Sequence, residues 1–209
     1  MRPDEILVQI AKEVNHCAKC DLNFSRKRGV PGEGPPDAAI MFIGEGPGFH
    51  ENEQGRPFVG AAGRYLDELL GKNGMKREDV FIGNVVKCRP PGNRDPLTEE
   101  LEACNPYLDR QIQVINPKVI VTLGRFSMMK FFPLAKISQV HGQVMQVRGR
   151  LIVPMYHPAA ALHQPSLKPL VEKDFAKLPD MITMAADAPQ YHEDDPEEKP
   201  EQPKQLSMF

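Results

Sequence analysis

The sequence predicts an α/β fold in which a parallel sheet is covered by helices on both faces. Four short apolar segments are typical of buried strands, and they span residues 38–44, 80–86, 118–124 and 151–156. Helical patterns follow the first three segments, and strands that alternate with helices favour parallel pairing. The carboxyl ends of such strands meet at one edge of the sheet, where ligands bind in open α/β folds.

The helical segments have signals of their own. Residues 1–14 mix acidic side chains into an apolar pattern of helical spacing, which predicts an amphipathic helix rather than a signal peptide. Residues 98–115 predict a long helix with Thr98 as N-cap and with Glu99 and Glu100 in its first turn, where the helix dipole favours negative charge. We expect one folded domain over residues 1–186.

Residues 187–204 differ from the rest of the chain because they are acidic, rich in proline and poor in apolar side chains. This composition predicts a disordered linker. The whole chain has a net charge of −2, so the body without this acidic stretch is mildly basic, which allows nucleic acid as a partner. No apolar run approaches the ~20 residues that span a bilayer. We therefore expect a cytoplasmic, monomeric protein with no membrane partner.

The chain has four cysteines, and two of them form a CxxC pair: Cys17, Cys20, Cys88 and Cys104. Disulfides are rare in cytosolic proteins, so metal binding or redox chemistry is the better interpretation. The CxxC follows a helical pattern instead of preceding one, which disfavours a thioredoxin-like dithiol. Zinc usually takes two short CxxC-type knuckles, whereas only one is present, so the spacing favours an iron–sulfur cluster slightly over zinc.

The glycine-rich stretch after the first strand does not fit a nucleotide cofactor. "GEGPGF" has phenylalanine where a dinucleotide fingerprint needs its third glycine, and no phosphate-loop motif occurs. The strand ends instead offer Glu45, Phe58, Asn84 and His157. Three of these residues also fit a structural role when each is taken alone. Phe58 could pack in the core, Asn84 could bind a loop backbone, and His157 could be a structural loop residue. Together, an aromatic ring and an amide supply the stacking and edge hydrogen bonds that hold a single base.

Three stretches, "GEGPGFHENEQGRPFVGAAG", "NVVKCRPPGNRDPLTEELEAC" and "YHPAAAL", resemble the motifs of family 4 uracil-DNA glycosylases, the iron–sulfur members of their superfamily. The resemblance runs from Cys17 to Leu178. It implies a three-layer α/β/α sandwich with a central four-stranded parallel sheet. It also implies a DNA-repair enzyme that excises uracil from single- or double-stranded DNA and leaves an abasic site. The alternative is a non-enzymatic iron–sulfur or zinc module that binds nucleic acid.

The resemblance also implies a cofactor and a set of residue roles. The four cysteines would hold a [4Fe–4S] cluster. Phe58 would stack on the extruded uracil, Asn84 would read its pairing edge, and His157 would donate to uracil O2 as the leaving base becomes negative. Glu45 would help to hold the uracil or the attacking water. The group that activates the water is left open between Glu45 and Glu51, of which Glu45 is preferred. The implied uracil site consists of six residues, Gly44, Glu45, Gly46, Phe58, Asn84 and His157.

Residues beside these motifs are expected to contact DNA. Residues 89–94 and 157–165 should be loops at the same edge of the sheet as the uracil site. We call this edge the rim. Basic side chains near the first of them would meet phosphates, namely Lys87, Arg89 and Arg94. In relatives, a residue after the His-Pro pair fills the gap that the flipped base leaves, and here either Ala161 or Leu162 could do so.

Three of the last five residues, Leu206, Met208 and Phe209, are apolar after a linker with nothing to bury. The five residues are Gln205, Leu206, Ser207, Met208 and Phe209. They resemble the short motif by which bacterial repair and replication proteins bind the sliding clamp. Apolar anchors on a flexible tether suit such a contact. This interpretation implies a bacterial protein associated with the nucleoid during repair. The alternative is a tail that folds back on the body.

Overall fold

The computed structural model describes residues 1–147 and 149–186, together with the backbone of residues 204 and 205. The described strands are β1 (Ile40–Gly44), β2 (Phe81–Asn84), β3 (Val119–Leu123), β4 (Met145–Val147), β5 (Arg150–Met155) and β6 (Lys204–Gln205). The described helices are α1 (Pro3–His16), α2 (Leu22–Ser25), α3 (Phe49–Gln54), α4 (Ala61–Lys72), α5 (Thr98–Ile115), α6 (Arg125–Met129), α7 (Ile137–Val140), α8 (Pro158–His163), α9 (Lys168–Phe175) and α10 (Leu178–Ala186).

The strands form a single sheet in the order β2-β1-β3-β5-β4-β6. The first four of these strands are parallel, which confirms the predicted four-stranded parallel sheet. Two antiparallel strands, β4 and β6, extend it at one edge. Gly44 is the register partner of Asn84, so the ends of β1 and β2 lie side by side.

Helices cover both faces of the sheet, so the predicted three-layer sandwich is confirmed. Alternate side chains of a strand point to opposite faces. Accordingly Phe42 packs with α4, α9 and α10, whereas Met41 and Ile43 pack with α5 and α6. Burial of a side chain such as Phe42 contributes about 1.5–3 kcal/mol to the stability of the fold.

The predicted N-terminal helix is present as α1, and it packs on α5. Ile10 and Val14 are fully buried against Tyr107. Glu13 and Arg110 form an ion pair across the same contact. Because α1 ends at His16, this packing delivers the CxxC segment to the side of α5.

Two local predictions are wrong. Thr98 is not an N-cap: it is the first residue of α5, and Leu97 holds the cap position, where its N–H donates to Glu100 Oε2 at 2.8 Å. Residues 158–163 are not a loop but the short helix α8, because Pro158 fits a first helical position and alanines favour helix.

The predicted linker and C-terminal motif fall largely outside the described residues. Of residues 187–209, only the backbone of Lys204–Gln205 is described, and it pairs with Met145 and Gln146 of β4. In the described part of the chain, no helix is both long and apolar enough to cross a membrane.

Candidate active site and cysteine pocket

The ends of β1 and β2 leave room for two side chains to approach each other over a glycine. A Cβ at position 44 would lie 2.5 Å from Asn84 Oδ1 and 2.7 Å from Phe58 Cζ. Both distances are too short for a real side chain, so only glycine permits this convergence. Beside it, Gly46 lies against Val86, and a Cβ at position 46 would meet Val86 Cγ2 at 2.7 Å.

The Phe58 ring forms one wall of this site. Phe58 is 6% exposed, and its ring stacks on His157 with centroids 5.4 Å apart and an interplanar angle of 25°. Its backbone has φ of +50°, a left-handed conformation that is uncommon for a bulky residue. Such outliers persist only where the surroundings enforce them.

Asn84 places a hydrogen-bond acceptor in the same site. Its side chain is 1% exposed, and its Oδ1 has no hydrogen-bond partner among the described residues. A buried acceptor without a partner costs about 1–3 kcal/mol. Such an atom in a native fold is therefore expected to meet a ligand or an ordered water.

His157 is neutral and has a defined tautomer. It is the N-cap of α8, and its Nδ1 accepts a hydrogen bond from the Ala159 N–H at 3.1 Å. The proton of the neutral ring is therefore on Nε2. Burial lowers the pKa of His157 to about 4, and the nearby charge of Glu51 opposes this only partly. At neutral pH the ring offers one N–H donor.

The two candidate carboxylates have different surroundings. Glu51 accepts hydrogen bonds from the N–H groups of Gly48, Val59 and Gly60 at 2.8–3.1 Å, so most of its acceptor sites are already used. The Glu45 carboxylate has no hydrogen-bond partner within the described residues. Burial raises the pKa of Glu45, and the charge of Asp95 adds to this while Arg125 opposes it. Of the two carboxylates, that of Glu45 is the more open to a water.

Two of the predicted DNA contacts are wrong. Lys87 is 1% exposed, and its Nζ donates inward to the Asn84 carbonyl at 2.9 Å and to Gln111 Oε1 at 2.7 Å. Ala161 is 3% exposed and packs in the core, whereas its neighbour Leu162 is 46% exposed. Of the two candidates for filling the gap, only Leu162 is exposed.

The two arginines remain accessible in different degrees. Arg89 lies over the ring of Phe49, with its Cζ 5.4 Å from the ring centroid, and Phe49 is itself 54% exposed. Arg94 donates to both oxygens of the buried Glu100 at 2.9 and 2.6 Å, so much of its charge is already neutralised. Both stay predictions as phosphate contacts, and Arg89 is the better placed.

The four cysteines line one pocket between α1, α2 and α5. Three N–H groups point at their sulfurs: Arg26 Nη1 lies 3.2 Å from Cys88 Sγ, the Lys87 N–H 3.4 Å from Cys104 Sγ, and the Lys19 N–H 3.5 Å from Cys17 Sγ. Such donors stabilise ligating thiolates. Burial raises the pKa of Cys104 to about 11 and raises those of Cys20 and Cys88. A bound positive centre would therefore favour loss of the thiol protons.

The model of the uracil DNA glycosylase superfamily matches residues 31–178, well over half of the chain. The chain belongs to this superfamily. It is 49% identical to a type-4 uracil-DNA glycosylase of Sulfurisphaera tokodaii, over 82% of this chain and 83% of the relative. It is also 48% identical to that of Archaeoglobus fulgidus, over 83% and 92%. The corresponding protein of Thermotoga maritima is 43% identical, over 86% and 96%.

Sequence reasoning missed three residues that shape the site of this superfamily member. The sequence suggests Glu51 only as a candidate for activating the water. A carboxylate followed by glycines and a turn could also have indicated a side chain that binds backbone N–H groups. Arg26 next to the cysteine pocket and Arg77 next to Phe58 had no signal in the sequence, because their partners are remote. Only the folded chain brings them together.

Proposed function

We propose that this protein is a uracil-DNA glycosylase, which flips uracil out of DNA and hydrolyses its glycosidic bond to leave an abasic site in base excision repair. The observation that carries the proposal is the convergence of an aromatic ring, an unpaired buried amide oxygen and a neutral imidazole beside Gly44. The names of the type-4 relatives support the same activity.

Recognition of uracil follows from the donors and acceptors of its pairing edge. The unpaired Asn84 Oδ1 accepts the N3–H of the base, and the amide nitrogen of Asn84 donates to O4. Cytosine has a lone pair on N3 and an amino group at position 4, so the same amide would face an acceptor with an acceptor and a donor with a donor. The Phe58 ring supplies the stacking surface.

Catalysis depends on where negative charge develops. Cleavage leaves an oxocarbenium-like sugar and a uracil anion, and the Nε2–H of His157 donates to O2 as that charge builds. A neutral donor whose Nδ1 is already fixed by the Ala159 N–H requires no reorganisation. Loss of one such donor typically costs about 10²–10³ in rate.

The attacking water is held by Glu45, whose carboxylate is unoccupied within the described residues and partly buried. Burial raises its pKa, which makes it a better proton acceptor than an exposed glutamate. Glu51 has the separate task of holding backbone N–H groups.

Binding of DNA uses the same rim. The exposed Leu162 fills the gap that the flipped base leaves, and Arg89 contacts a phosphate. Single-stranded DNA needs no gap filling, so Leu162 contributes only on double-stranded substrate.

The four cysteines hold a [4Fe–4S] cluster. The shared pocket and the three N–H donors support this assignment. In the described residues, no group of three or more His, Cys, Asp or Glu side chains is arranged around a single metal ion. A cubane takes one cysteine at each of four irons, so its ligands are spread apart. Through Cys17 and Cys104, a bound cluster would tie the end of α1 to α5.

Residues 205–209 bind the bacterial sliding clamp, with residues 1–186 as the glycosylase domain and 187–204 as the tether. Because Gln205 pairs with β4, clamp binding requires this pair to open. The protein works as a cytoplasmic monomer that associates with the nucleoid. Deletion of residues 205–209 should abolish clamp binding and leave excision from a short oligonucleotide unchanged; equal clamp affinity would reject the tether.

The activity is tested with a uracil-containing oligonucleotide followed by alkali. We expect strand cleavage at uracil with no added nucleotide, and no product from either single- or double-stranded DNA would reject the function.

His157→Ala and Asn84→Ala should lose most activity and keep the fold; wild-type rates in both would reject the site assignment. A coloured protein with bound iron supports the cluster, and a colourless one with stoichiometric zinc would overturn it.

A further inference from the structure

The segment of residues 57–60, which carries the Phe58 ring between α3 and α4, is held in an unfavourable conformation. Phe58 has φ of +50°, which a side chain with a Cβ disfavours. The turn is also tight, since a Cβ at Gly63 would lie 1.8 Å from the Phe58 carbonyl oxygen. Neighbouring groups must therefore fix this backbone.

Two charged side chains form hydrogen bonds with the backbone of all four residues of this segment. Glu51 accepts from the N–H groups of Val59 and Gly60 at 2.8 and 2.9 Å. Arg77 donates from Nη2 to the Pro57 carbonyl at 2.5 Å and from Nη1 to the Phe58 carbonyl at 3.1 Å. The ring thus projects from a turn whose donors and acceptors are both held by ionic groups.

Arg77 is itself anchored to the strand that ends at Asn84. Its Nε and Nη2 donate to Glu33 Oε1 at 2.9 and 2.7 Å. Glu33 in turn exchanges two backbone hydrogen bonds with Ile82 of β2, two residues before Asn84. Burial raises the pKa of Glu33, but hydrogen bonds from Arg56 and Arg77 outweigh it and lower the pKa below its ordinary value. Glu33 is therefore ionised at neutral pH.

We infer that Arg77 is a positioning residue that fixes the Phe58 ring relative to Asn84, through Glu33 and β2. The inference rests on the proposed uracil site, in which Phe58 is the stacking surface and Asn84 the reader of the pairing edge. Arg77 contacts backbone carbonyls and carboxylates, not the base. It therefore acts on the geometry of the bound base, and a displacement of about 1 Å can cost about hundredfold in rate.

Arg56 provides a matched control. It pairs with the same Glu33 through two hydrogen bonds of 2.8 and 3.1 Å, but it is 58% exposed at its side chain and donates to none of the carbonyls that Arg77 holds. Arg77→Met should lower the single-turnover excision rate by about tenfold to hundredfold and leave KM for DNA within about twofold. Arg56→Met should change neither by more than about twofold, and equal effects of the two variants would overturn the inference.

A double-mutant cycle tests whether Arg77 acts through Phe58. In a Phe58→Ala background, Arg77→Met should cause little further loss, because the ring that it positions is gone. Losses that multiply would overturn the inference. Arg77→Lys, which can reach fewer of these oxygens, should lie between wild type and Arg77→Met, and it serves if the methionine variant does not fold.

Amide hydrogen exchange separates this inference from the proposed function. Arg77→Met should accelerate exchange at the amides of residues 59 and 60, whereas Arg56→Met should not. Unchanged exchange in Arg77→Met would overturn the inference whether or not the protein excises uracil. A wild-type protein that fails to excise uracil would instead reject the proposed function.

Discussion

The rim beside Gly44 and the cysteine pocket differ in what holds their side chains in place. At the rim, the protein's own groups fix the residues: the Ala159 N–H orients His157, and register pairing sets Asn84 beside Gly44. In the cysteine pocket, four thiols face one another, and burial raises the pKa of Cys20, Cys88 and Cys104. The rim side chains are therefore held in position without a ligand, whereas the cysteine pocket depends on the group that it binds. Changes at the first should affect rate, and changes at the second should affect stability.

The sharpest test of this contrast is Cys88→Ser. Loss of a ligand should release the cluster and lower the free energy of unfolding by more than about 4 kcal/mol, as expected when a structural metal group is lost. Denaturant unfolding with iron analysis measures both effects. A variant that binds no iron and still unfolds at the wild-type denaturant concentration would break the contrast.

Acid should reveal the burial of His157. The folded protein keeps this ring neutral down to a pKa of about 4, while the unfolded chain binds a proton near the ordinary value of 6.5. This lowered pKa means that stability is fully present above pH 6.5 and is lost as pH falls towards 4. The loss amounts to roughly 3 kcal/mol. His157→Gln should lose correspondingly less over this pH range, and parallel stability curves for the two proteins would contradict the prediction.

Substitutions of Glu45 and Glu51 should have different effects, one on the excision rate and the other on the free energy of unfolding. Glu45→Gln should slow excision by about hundredfold with little change in unfolding, because it removes only the group that holds the water. Glu51→Gln should lower the free energy of unfolding by about 1–3 kcal/mol, because its carboxylate satisfies three backbone N–H groups. The reverse pattern, with Glu51 affecting rate alone, would exchange their roles.

The smallest expected effect is at Leu162. Leu162→Ala should reduce excision from double-stranded DNA by about threefold to tenfold and leave single-stranded DNA unaffected, since a single apolar wedge offsets only part of the cost of unstacking. Leu134, which is 97% exposed in the α6–α7 connection, is the matched control. Equal losses in Leu162→Ala and Leu134→Ala would remove Leu162 from the DNA surface.

The sequence predicted what local patterns encode. An apolar run such as residues 40–44 identifies a buried strand because burial on both faces leaves few polar residues. Strand β4 has only three residues, which is too short for such a pattern. The rim was predictable because the ends of parallel strands meet at one edge, so Asn84 and the residues after β5 had to be neighbours.

Side-chain direction was not predictable in the same way. Lys87 sits beside a cysteine in a basic stretch, which predicts a phosphate contact, yet its Nζ finds two buried acceptors, one of them Gln111 on a different element. Arg77 is similar, since Glu33 precedes it by 44 residues. Local composition cannot show whether a cation faces solvent or a remote carbonyl.

The unpaired Oδ1 of Asn84 has a consequence for how the protein can evolve. A buried acceptor with no partner in the described residues depends on a water or a ligand for its hydrogen bond, so it stabilises the fold less than an apolar group of that shape would. An apolar residue of the same branched shape, as in Asn84→Leu, would remove that penalty, and where its larger methyl groups fit it would raise the melting temperature at the expense of the proposed recognition. Selection for heat resistance and selection for reading uracil therefore oppose each other at this position. A screen that rewards only thermal endurance would discard the residue that the proposed site uses to distinguish uracil from cytosine.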